Sequence, residues 1–395
     1  MDYLTYFTDK IAQTRKEQRY RIFRAVERDT HFPHIKLHLA GKARAITTWC
    51  GVDYLGLSQH PGLKAAMMEA VAQFGVGSGG TRNIGGNIHQ HELLEQALAQ
   101  LHQQEAGLLF TSGYVANEAT LKTLGKIIPN LQLLSDQENH MSIIEGIRES
   151  GCNKLIFRHN DPNDLETKLK SLPLDVPKLI IFESVYSMSG DIAPVKAIIA
   201  LAKQYQALTY VDEVHAVGVY GAHGGGISEV TKTAPDLDII QGTLSKGFGL
   251  TGGYITGKHS IIDAIRLHAN GFIFTTSLPP HISITALNAL ALGAELTTLQ
   301  QQLFTIVDYV KAGLTAAGLK VLPSPSQIIP LWIGDPGLCE AASVRLLEEF
   351  NLYLQPINYP TIKKGEERFR ISPTARHTLQ DADYLIEALR ICLLS

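Results

Sequence analysis

The fold of this chain is decided by three nearly continuous apolar runs, KLIIFES (178–184), ALTYVD (207–212) and IIQGT (239–243). Such runs are typical of strands that are covered on both faces. Between residues 107 and 257, runs of this kind alternate with helical patterns, which predicts an α/β fold with a mostly parallel sheet of seven strands. The expected strands are 107–111, 132–135, 154–158, 178–184, 207–212, 239–243 and 253–256.

Three polar residues lie just after the predicted strands, at the edge where open α/β sheets bind their ligands. Asp212 ends one run, His215 follows it closely, and Lys246 lies among small residues in Gly242-Thr-Leu-Ser-Lys-Gly-Phe-Gly249. Pyridoxal phosphate (PLP) requires these residue types. The lysine binds it as a Schiff base, the aspartate keeps the pyridine nitrogen protonated, and the histidine can hydrogen-bond the phenolic oxygen. The alternative is that the three residues are unrelated in space.

A phosphate site is predicted where Thr111-Ser112-Gly113-Tyr114 leads into a helix, because a helix N-terminus offers free backbone N–H groups to an anion. Hydroxyl groups suited to the same phosphate come from Thr243 and from Thr275-Thr276. His140 follows the run that ends at Ser135, and it could stack on a pyridine ring. A structural role for this histidine is the alternative.

Two glycine-rich segments fit the G-x-G-x-x-G pattern of dinucleotide-binding loops, at 75–80 and 247–252. The first follows a predicted helix and the second leads into a strand, so neither has the strand–turn–helix context that the pattern needs. Both are interpreted as tight loops that approach a ligand.

The remaining patterns predict the other elements and the domains. We expect an amphipathic helix over 2–28, a strand and turn over 49–57, helices over 61–74, 92–103, 281–317 and 338–350, and a strand over 328–333. The predicted domains are an N-terminal helix and arm (1–48), a large PLP-binding domain (49–285) and a smaller C-terminal α+β domain (286–395).

Composition excludes several classes of protein. The net charge of −3 argues against a nucleic-acid binder. The four cysteines are far apart and form no CxxC pair, and His89-Gln-His91 lacks further ligands, so no metal site is predicted. No run reaches the roughly eighteen apolar residues of a membrane span, and the acidic N-terminus is unlike a signal peptide. A cytoplasmic protein is therefore expected.

Ordered motifs run through nearly the whole chain. They are Arg19-Tyr-Arg-Ile-Phe23, Trp49-Cys-Gly-Val-Asp-Tyr-Leu-Gly56, Gly79-Gly-Thr-Arg-Asn-Ile84, Phe110-Thr-Ser-Gly-Tyr114, Phe182-Glu-Ser-Val-Tyr-Ser-Met188, Tyr210-Val-Asp-Glu-Val-His-Ala-Val-Gly218, Gly242-Thr-Leu-Ser-Lys246, Gln355-Pro-Ile-Asn-Tyr-Pro-Thr361 and Arg368-Phe-Arg-Ile-Ser-Pro-Thr374. Together they resemble the α-oxoamine synthase family of fold-type I PLP-dependent transferases, and within it the members that condense glycine with succinyl-CoA.

The resemblance implies how the cofactor is bound. Lys246 would carry PLP and move the α-proton of glycine, Asp212 would pair with the pyridine nitrogen, His215 with the phenolic oxygen, and His140 would stack on the ring. The full set of implied cofactor-binding residues is Ser112, Gly113, Tyr114, His140, Ser187, Asp212, His215, Thr243, Lys246, Thr275 and Thr276. The last two would reach the phosphate in the neighbouring subunit of a homodimer whose sites lie at the interface.

The resemblance also implies the substrate contacts. Arg370 would bind the glycine carboxylate, which suits a planar guanidinium group. Thr81 would crowd the amino-acid pocket and so favour glycine. The remaining implied substrate-binding residues are Asn83 and four at the succinyl-CoA site, Arg19, Ser135, Lys154 and Thr361. Of these, Arg19 and Thr361 would hold the succinyl carboxylate.

The chain departs from the family pattern at Val52, where the usual asparagine helps to hold the amino-acid carboxylate, and in the segment 85–91. Because a valine side chain cannot hydrogen-bond, weakened glycine binding is predicted. A sister enzyme that uses another acyl-CoA or amino acid is an alternative. A non-catalytic regulator with a PLP fold is another, although it would need a DNA-binding domain or a lost lysine, and the sequence has neither.

Overall fold

The computed structural model describes residues 2–17, 19–39 and 41–394. Its strands are β1 (Ala25–Glu27), β2 (His34–Leu39), β3 (Lys42–Thr48), β4 (Ala106–Phe110), β5 (Gln132–Asp136), β6 (Asn153–Phe157), β7 (Lys178–Glu183), β8 (Leu208–Asp212), β9 (Ile239–Thr243), β10 (Gly253–Gly257), β11 (Ile329–Trp332), β12 (Leu352–Tyr353), β13 (Pro356–Ile357) and β14 (Arg368–Ile371).

Its helices are α1 (Tyr3–Lys16), α2 (Pro61–Phe74), α3 (His89–Leu101), α4 (Gly113–Ile127), α5 (Met141–Ser150), α6 (Pro162–Lys170), α7 (Val195–Gln204), α8 (Ile227–Thr231), α9 (His259–His268), α10 (Asn270–Ile273), α11 (Pro280–Leu290), α12 (Ala294–Ala316), α13 (Pro336–Phe350) and α14 (Leu379–Leu394). Single 3₁₀ turns occur at Leu57–Gln59 and Ala234–Asp236.

The chain forms two compact units. The sheet unit comprises Val52–Phe304, and the terminal unit comprises Met1–Gly51 together with Thr305–Ser395. The domain boundaries expected from the sequence, after residues 48 and 285, stay predictions.

The sheet unit is built on a seven-stranded sheet of order β4-β10-β9-β8-β7-β5-β6. β10 is antiparallel to both of its neighbours, while the pairs from β9 to β6 are parallel. β7 and β9 are buried along their whole length, as their apolar sequences predicted. The expected seven-stranded, mostly parallel sheet is therefore confirmed, with strand ends that differ from the expected ones by no more than one residue.

The core of the sheet unit lies between one face of this sheet and a layer of helices. Alternate strand residues, such as Leu133, Ile181 and Ile239, belong to one buried cluster with Ile143 of α5 and Ile262 of α9. This arrangement follows from the two-residue period of a strand, which turns every second side chain to the same face. The backbone pairing between neighbouring strands sets their register, and the register aligns the strand ends that carry the site.

The register places polar strand-end residues side by side. Glu183 of β7 pairs with Asp212 of β8, and Asp212 pairs with Gln241 of β9. Parallel strands bring their carboxyl ends to the same edge, so these side chains belong to one cluster.

The terminal unit contains two smaller sheets, of order β1-β2-β3-β12 and β11-β14-β13. Trp49 stacks on His377 with ring centroids 3.7 Å apart. His377 Nε2 lies 3.1 Å from the carbonyl oxygen of Thr48. Burial lowers the pKa of His377 to about 3, so this ring is a neutral part of the core.

Three expectations about elements were wrong. The helix expected over 2–28 ends at Lys16, because residues 25–27 instead pair with β2 as a strand. The strand expected at the start of 49–57 is absent, since the described residues 49–53 form no strand, while the turn expected after it is present at residues 54–55. The helical stretch expected over 281–317 breaks after Leu290, where Gly293 has a φ of 56°, and α12 then begins at Ala294.

Within the described residues, no single helix has the length and apolar composition needed to cross a membrane. The bent pair formed by α11 and α12 passes the same test only when its two helices are taken together.

Candidate active site

A cavity of about 230 Å³ lies in the sheet unit at the carboxyl ends of the parallel strands. Its lining includes eight of the residues that the sequence predicted as cofactor ligands. The lining residues are Ser112, Gly113, Tyr114, Asn117, His140, Ser142, Glu183, Asp212, Val214, His215, Thr243, Ser245 and Lys246.

Lys246 reaches the cavity from a tight loop that follows β9. The amide of Leu244 donates to the carbonyl of Gly252 at 3.0 Å, and the amide of Gly249 donates to the carbonyl of Lys246 at 3.2 Å. Gly247 packs directly on the segment after β8, because a Cβ atom there would lie 2.2 Å from the carbonyl oxygen of Val217. The glycine is needed for this close approach, which fixes the position of the lysine.

Asp212 is held by two donors of the protein. Asn117 Nδ2 donates to Oδ2 at 2.7 Å, and the amide of Val214 donates to Oδ1 at 2.8 Å. The amide of Asn117 is oriented in turn by the hydroxyl of Tyr210, which donates to its Oδ1 at 2.7 Å. These hydrogen bonds fix the orientation of the Asp212 carboxyl group in the cavity lining.

Glu183 is a second carboxyl group in the lining, beside Asp212. Burial raises the pKa of Glu183 well above its usual range, and the charge of Asp212 raises it further. Its Oε1 accepts from the amide of His140 at 2.6 Å. Since two carboxylates cannot both ionise at such a buried site without a large cost, Glu183 is expected to be the neutral member of this pair.

Two histidines line the cavity from different elements. The amide of Ser142 donates to Nδ1 of His140 at 3.2 Å, so His140 caps α5 with its own side chain. His215 follows β8, and its Nδ1 lies 2.9 Å from the hydroxyl of Tyr54. Both rings are therefore held by hydrogen bonds within the sheet unit.

The other end of the cavity is suited to an anion. Ser112 caps α4 and accepts from the amide of Val115 at 3.2 Å, while Gly113 and Tyr114 belong to the first helical turn, whose N–H groups have no partners inside a helix. A Cβ atom at Gly113 would come within 3.2 Å of Gln241 Nε2. A side chain at this position would therefore press on β9 beside Thr243.

Several residues predicted for the site do not line this cavity. Ser187 lies in a half-buried turn after β7. Ser135 is buried, and it accepts from Asn139 Nδ2 at 2.8 Å, while Lys154 is exposed on β6.

The two remaining predicted segments of the sheet unit pair with each other. Thr81 forms an isolated bridge with Thr276, and Thr275 is the half-buried residue before it. The side chain of Thr81 accepts from the amide of Ile84 at 3.2 Å, which closes a turn that exposes Asn83.

Three predicted substrate residues belong to the terminal unit. Arg19 lines a separate cavity of about 580 Å³ together with Asn358, Tyr359 and Lys364. The amide of Thr361 donates to the carbonyl of Asn358 at 3.0 Å, and Arg370 lies on β14.

The prediction from sequence missed five lining residues, Asn117, Ser142, Glu183, Val214 and Ser245. Glu183 gave a usable signal, since it is a carboxylate near the end of an apolar run, as Asp212 is. Asn117 and Ser142 gave none, because they lie on helices whose packing against the sheet cannot be deduced from local sequence.

The lining fits PLP. It combines a lysine, a carboxylate held by two donors, two fixed imidazole rings and a helix N-terminus that can bind a phosphate. Among the described residues, no group of histidine, cysteine or acidic side chains could hold a metal ion. His91 is part of the packing, since its Nε2 lies 2.7 Å from the carbonyl oxygen of Leu278, while the side chain of His89 is exposed.

Comparison with known proteins identifies the family to which this site belongs. The profile of the family described as Aminotransferase class I and II matches residues 44–389. A 5-aminolevulinate synthase from Bradyrhizobium diazoefficiens is 50% identical over 390 residues, which cover 98% of this chain and 95% of the relative. A 5-aminolevulinate synthase from Rickettsia bellii is 48% identical and covers 99% of this chain and 93% of the relative.

A solved structure shares the fold over nearly the whole chain. The structure of SPT with PLP is 29% identical in sequence to this chain and superimposes with a TM-score of 0.91. The match covers 99% of this chain and 98% of the SPT chain. PLP is therefore the cofactor, and the fold is that of the fold-type I PLP-dependent transferases, as the sequence predicted. The chain belongs to the class I and II aminotransferases and, within them, to the family of 5-aminolevulinate synthases.

Proposed function

We propose that this protein condenses glycine with succinyl-CoA to give 5-aminolevulinate, CoA and CO2, the first step of tetrapyrrole and haem biosynthesis. The observation that carries the proposal is the cavity in which Lys246, Asp212 and His140 meet, in a chain half identical to a 5-aminolevulinate synthase. When bound, PLP supplies an electron sink that stabilises negative charge on the α-carbon of the amino acid.

Lys246 has the central role among the residues of the chain. Its amine would bind the cofactor and then, once glycine has replaced it, take the proton from the α-carbon and later return one. A positioned amine of this kind contributes to catalysis by general acid–base transfer. The close packing of Gly247 on Val217 supports this role, because it limits the movement of the loop that carries the lysine.

Asp212 would hold the pyridine nitrogen in its protonated form. Its two donors, Asn117 and the amide of Val214, orient the carboxyl group, and a neutral Glu183 avoids a second negative charge beside it. His140 would stack on the ring and His215 would donate to its phenolic oxygen. We assign the phosphate to Ser112, Gly113, Tyr114 and Thr243, with Ser187 as a further cofactor contact.

For the substrates, we propose that Arg370 binds the carboxylate of glycine, and that Arg19 and Thr361 bind the carboxylate of the succinyl group. A guanidinium group suits both tasks, because it can donate to two carboxylate oxygens in one plane. Thr81 would limit the amino-acid pocket to glycine, and Asn83, Ser135 and Lys154 would complete the substrate contacts.

We also propose a cytoplasmic homodimer in which Thr275 and Thr276 act at the cofactor phosphate of the partner subunit. In support, neither residue lines the cavity of its own chain, and the adjoining Phe274 is 75% exposed. Mixed dimers test this proposal. A Lys246→Ala subunit combined with a Thr275→Ala/Thr276→Ala subunit should regain activity, because one site then holds both a lysine and the two threonines. A mixture no more active than its separate components would contradict it.

The proposed reaction is tested by a substrate panel. Succinyl-, acetyl- and palmitoyl-CoA are each combined with glycine, alanine and serine, and CoA release and 5-aminolevulinate are measured. Serine and palmitoyl-CoA are included because a serine palmitoyltransferase from Sphingomonas wittichii is structurally similar, with a TM-score of 0.91 at 28% identity. We expect glycine with succinyl-CoA to be fastest. Faster turnover of another pair would favour a sister synthase instead.

A further inference from the structure

We propose that Tyr54 is a positioning residue for His215. The Tyr54 hydroxyl donates to Nδ1 of His215 and so keeps the ring proton on Nε2, where it can be donated to the phenolic oxygen of PLP. The inference rests on the proposed function, because it extends the role assigned to His215 there. It adds a residue that the sequence did not single out.

The geometry of the pair supports this role. The Tyr54 hydroxyl and His215 Nδ1 are 2.9 Å apart, and the two residues are 0% and 5% exposed. The tautomer of a neutral histidine is set by the hydrogen bond that one of its nitrogens makes. With Nδ1 engaged as an acceptor, the proton resides on Nε2.

The direction of this hydrogen bond matters for the chemistry. If Nδ1 donated to the tyrosine oxygen, a neutral ring would have no proton on Nε2 and could not donate to an anionic phenolic oxygen. A phenol hydroxyl is a good donor, and the nitrogen of a neutral imidazole is a strong acceptor. Charging the ring would place a cation in a site where His215 is almost fully buried. The neutral ring with its proton on Nε2 is therefore the form of lowest free energy, and it is also the form that can donate to the phenolic oxygen of the cofactor.

The segment that carries Tyr54 also supports the lysine loop. Gly249 has a φ of 66°, and a Cβ atom there would lie 2.3 Å from the amide nitrogen of Ser58. Asp53 Oδ2 accepts from the same amide at 3.3 Å. Residues 53–58 thus contact both the Lys246 loop and His215. The substitution Tyr54→Phe keeps this packing and removes only the hydroxyl.

The experiment is a pH titration of the visible absorbance of the cofactor bound to the Tyr54→Phe enzyme, with no substrate present. Losing a donor to the phenolic oxygen disfavours its anionic form, so the pH of the spectral transition should rise by about 0.5 to 1 unit. The dissociation constant of PLP should increase by about threefold to tenfold. An unchanged titration would overturn the inference.

A matched control is available in the same unit. The Tyr254 hydroxyl lies 2.9 Å from His102 Nε2, and both residues are buried, yet neither lines the cavity. Tyr254→Phe therefore removes an equivalent hydrogen bond from an equivalent environment. We expect it to lower stability as much as Tyr54→Phe does, while the absorbance titration stays that of the parent. An equal spectral shift in both variants would show a merely structural effect.

A direct readout is the ¹⁵N chemical shift of the His215 ring in the holoenzyme. We expect the signature of a neutral imidazole protonated on Nε2, and a mixture of tautomers in Tyr54→Phe. A proton on Nδ1 in the parent would refute the inference. These measurements need no substrate, so they can succeed even if the substrate panel rejects glycine and succinyl-CoA.

Discussion

Asp212 and Glu213 are consecutive residues at the end of β8, and their carboxyl groups serve opposite sides of the sheet edge. Asp212 lines the cofactor cavity, where Asn117 and the amide of Val214 hold it while it remains accessible to a ligand. Glu213 is also buried, but it lies outside that lining. The two carboxyl groups are therefore separated, since Asp212 is the last residue of β8 and Glu213 follows it with partners elsewhere.

The partners of Glu213 all belong to the fold. Its oxygens accept from the amides of Ile227 and Ser228, at 3.0 and 2.7 Å, and from the hydroxyl of Ser184. A Cβ atom at Gly226 would lie 2.6 Å from Oε2, so the loop is built around this carboxyl group. Two adjacent acids of similar burial therefore have different roles. Asp212 lines the cavity that binds the cofactor, whereas Glu213 accepts hydrogen bonds from residues of the fold. Substitutions in the cavity lining should accordingly reduce activity, whereas substitution of Glu213 should reduce stability.

The largest effect is expected on the cavity side, for Lys246→Ala. Removing the amine eliminates both covalent cofactor binding and the proton transfer at glycine, so turnover should fall roughly 10,000-fold or more. The thermal midpoint should change little. Reduction with borohydride, followed by mass spectrometry, should show no cofactor attached to the chain. Lys258→Ala, at an exposed lysine of the same unit, is the control, and full activity of Lys246→Ala would refute the assignment.

Asp212→Asn should produce the next largest loss. The amide keeps the shape of the side chain but removes the negative charge opposite the pyridine nitrogen, so turnover should fall on the order of 100-fold or more. Stability should fall by about 1 kcal/mol, because the new amide cannot accept as well from Asn117. Turnover assays and urea unfolding separate the two effects. A variant that lost stability and kept its activity would place Asp212 with Glu213 as a structural acid.

Glu213→Gln should show the reverse pattern. A glutamine can accept with only one of its two terminal atoms, so an amide of Ile227 or Ser228 would lose its partner in a buried site. We expect a loss of about 1 to 3 kcal/mol in the free energy of unfolding, with PLP still bound. Urea unfolding and the cofactor absorbance measure the two quantities. A failure of PLP binding with unchanged stability would contradict the division between the sides.

A second structural cluster on the same sheet gives a pH test. His159 Nδ1 lies 3.0 Å from Asp136 and its Nε2 lies 3.2 Å from Asp191, with Glu138 at 3.9 Å and the ring of Tyr186 packed edge-on. Burial lowers the pKa of His159, but hydrogen bonds to Asp136 and Asp191 outweigh it and raise the value to about 10. The folded protein therefore binds this proton more tightly than the unfolded chain does.

The sign of the pH dependence follows from this difference. The stability that protonated His159 contributes to the folded protein is fully present below the pKa of about 6.5 that the histidine has in the unfolded chain. This contribution is lost as the pH rises toward about 10. His159→Gln should therefore be less stable than the parent near pH 6, by about a few kcal/mol, and the difference should shrink toward pH 10. Urea midpoints across this range measure it, with the exposed His223→Gln as control. A difference that stayed constant with pH would argue against a protonated His159.

The strands of the seven-stranded sheet, and the site residues at their ends, were predicted from the sequence more accurately than the rest of the molecule. Apolar runs such as 178–184 need no distant partner to be identified as buried strands, and their ends locate Asp212 and Lys246. The predicted helix over 2–28 failed because Ala25–Glu27 form a strand only through pairing with residues of β2. The role of Tyr54 was equally hidden, since its partner His215 is far away in sequence.

The smallest effect is expected at Val52, which lies beside Asp53 and Tyr54 at the start of the sheet unit. The family pattern that the sequence resembles has an asparagine at this position, and a valine cannot donate to the carboxylate of glycine. Val52→Asn should restore such a donor and lower the KM for glycine by about threefold to tenfold, with kcat little changed. Val52→Leu is the apolar control and should not lower it. If the KM of Val52→Asn stayed the same or rose, Val52 would join Glu213 among the residues that serve the fold alone.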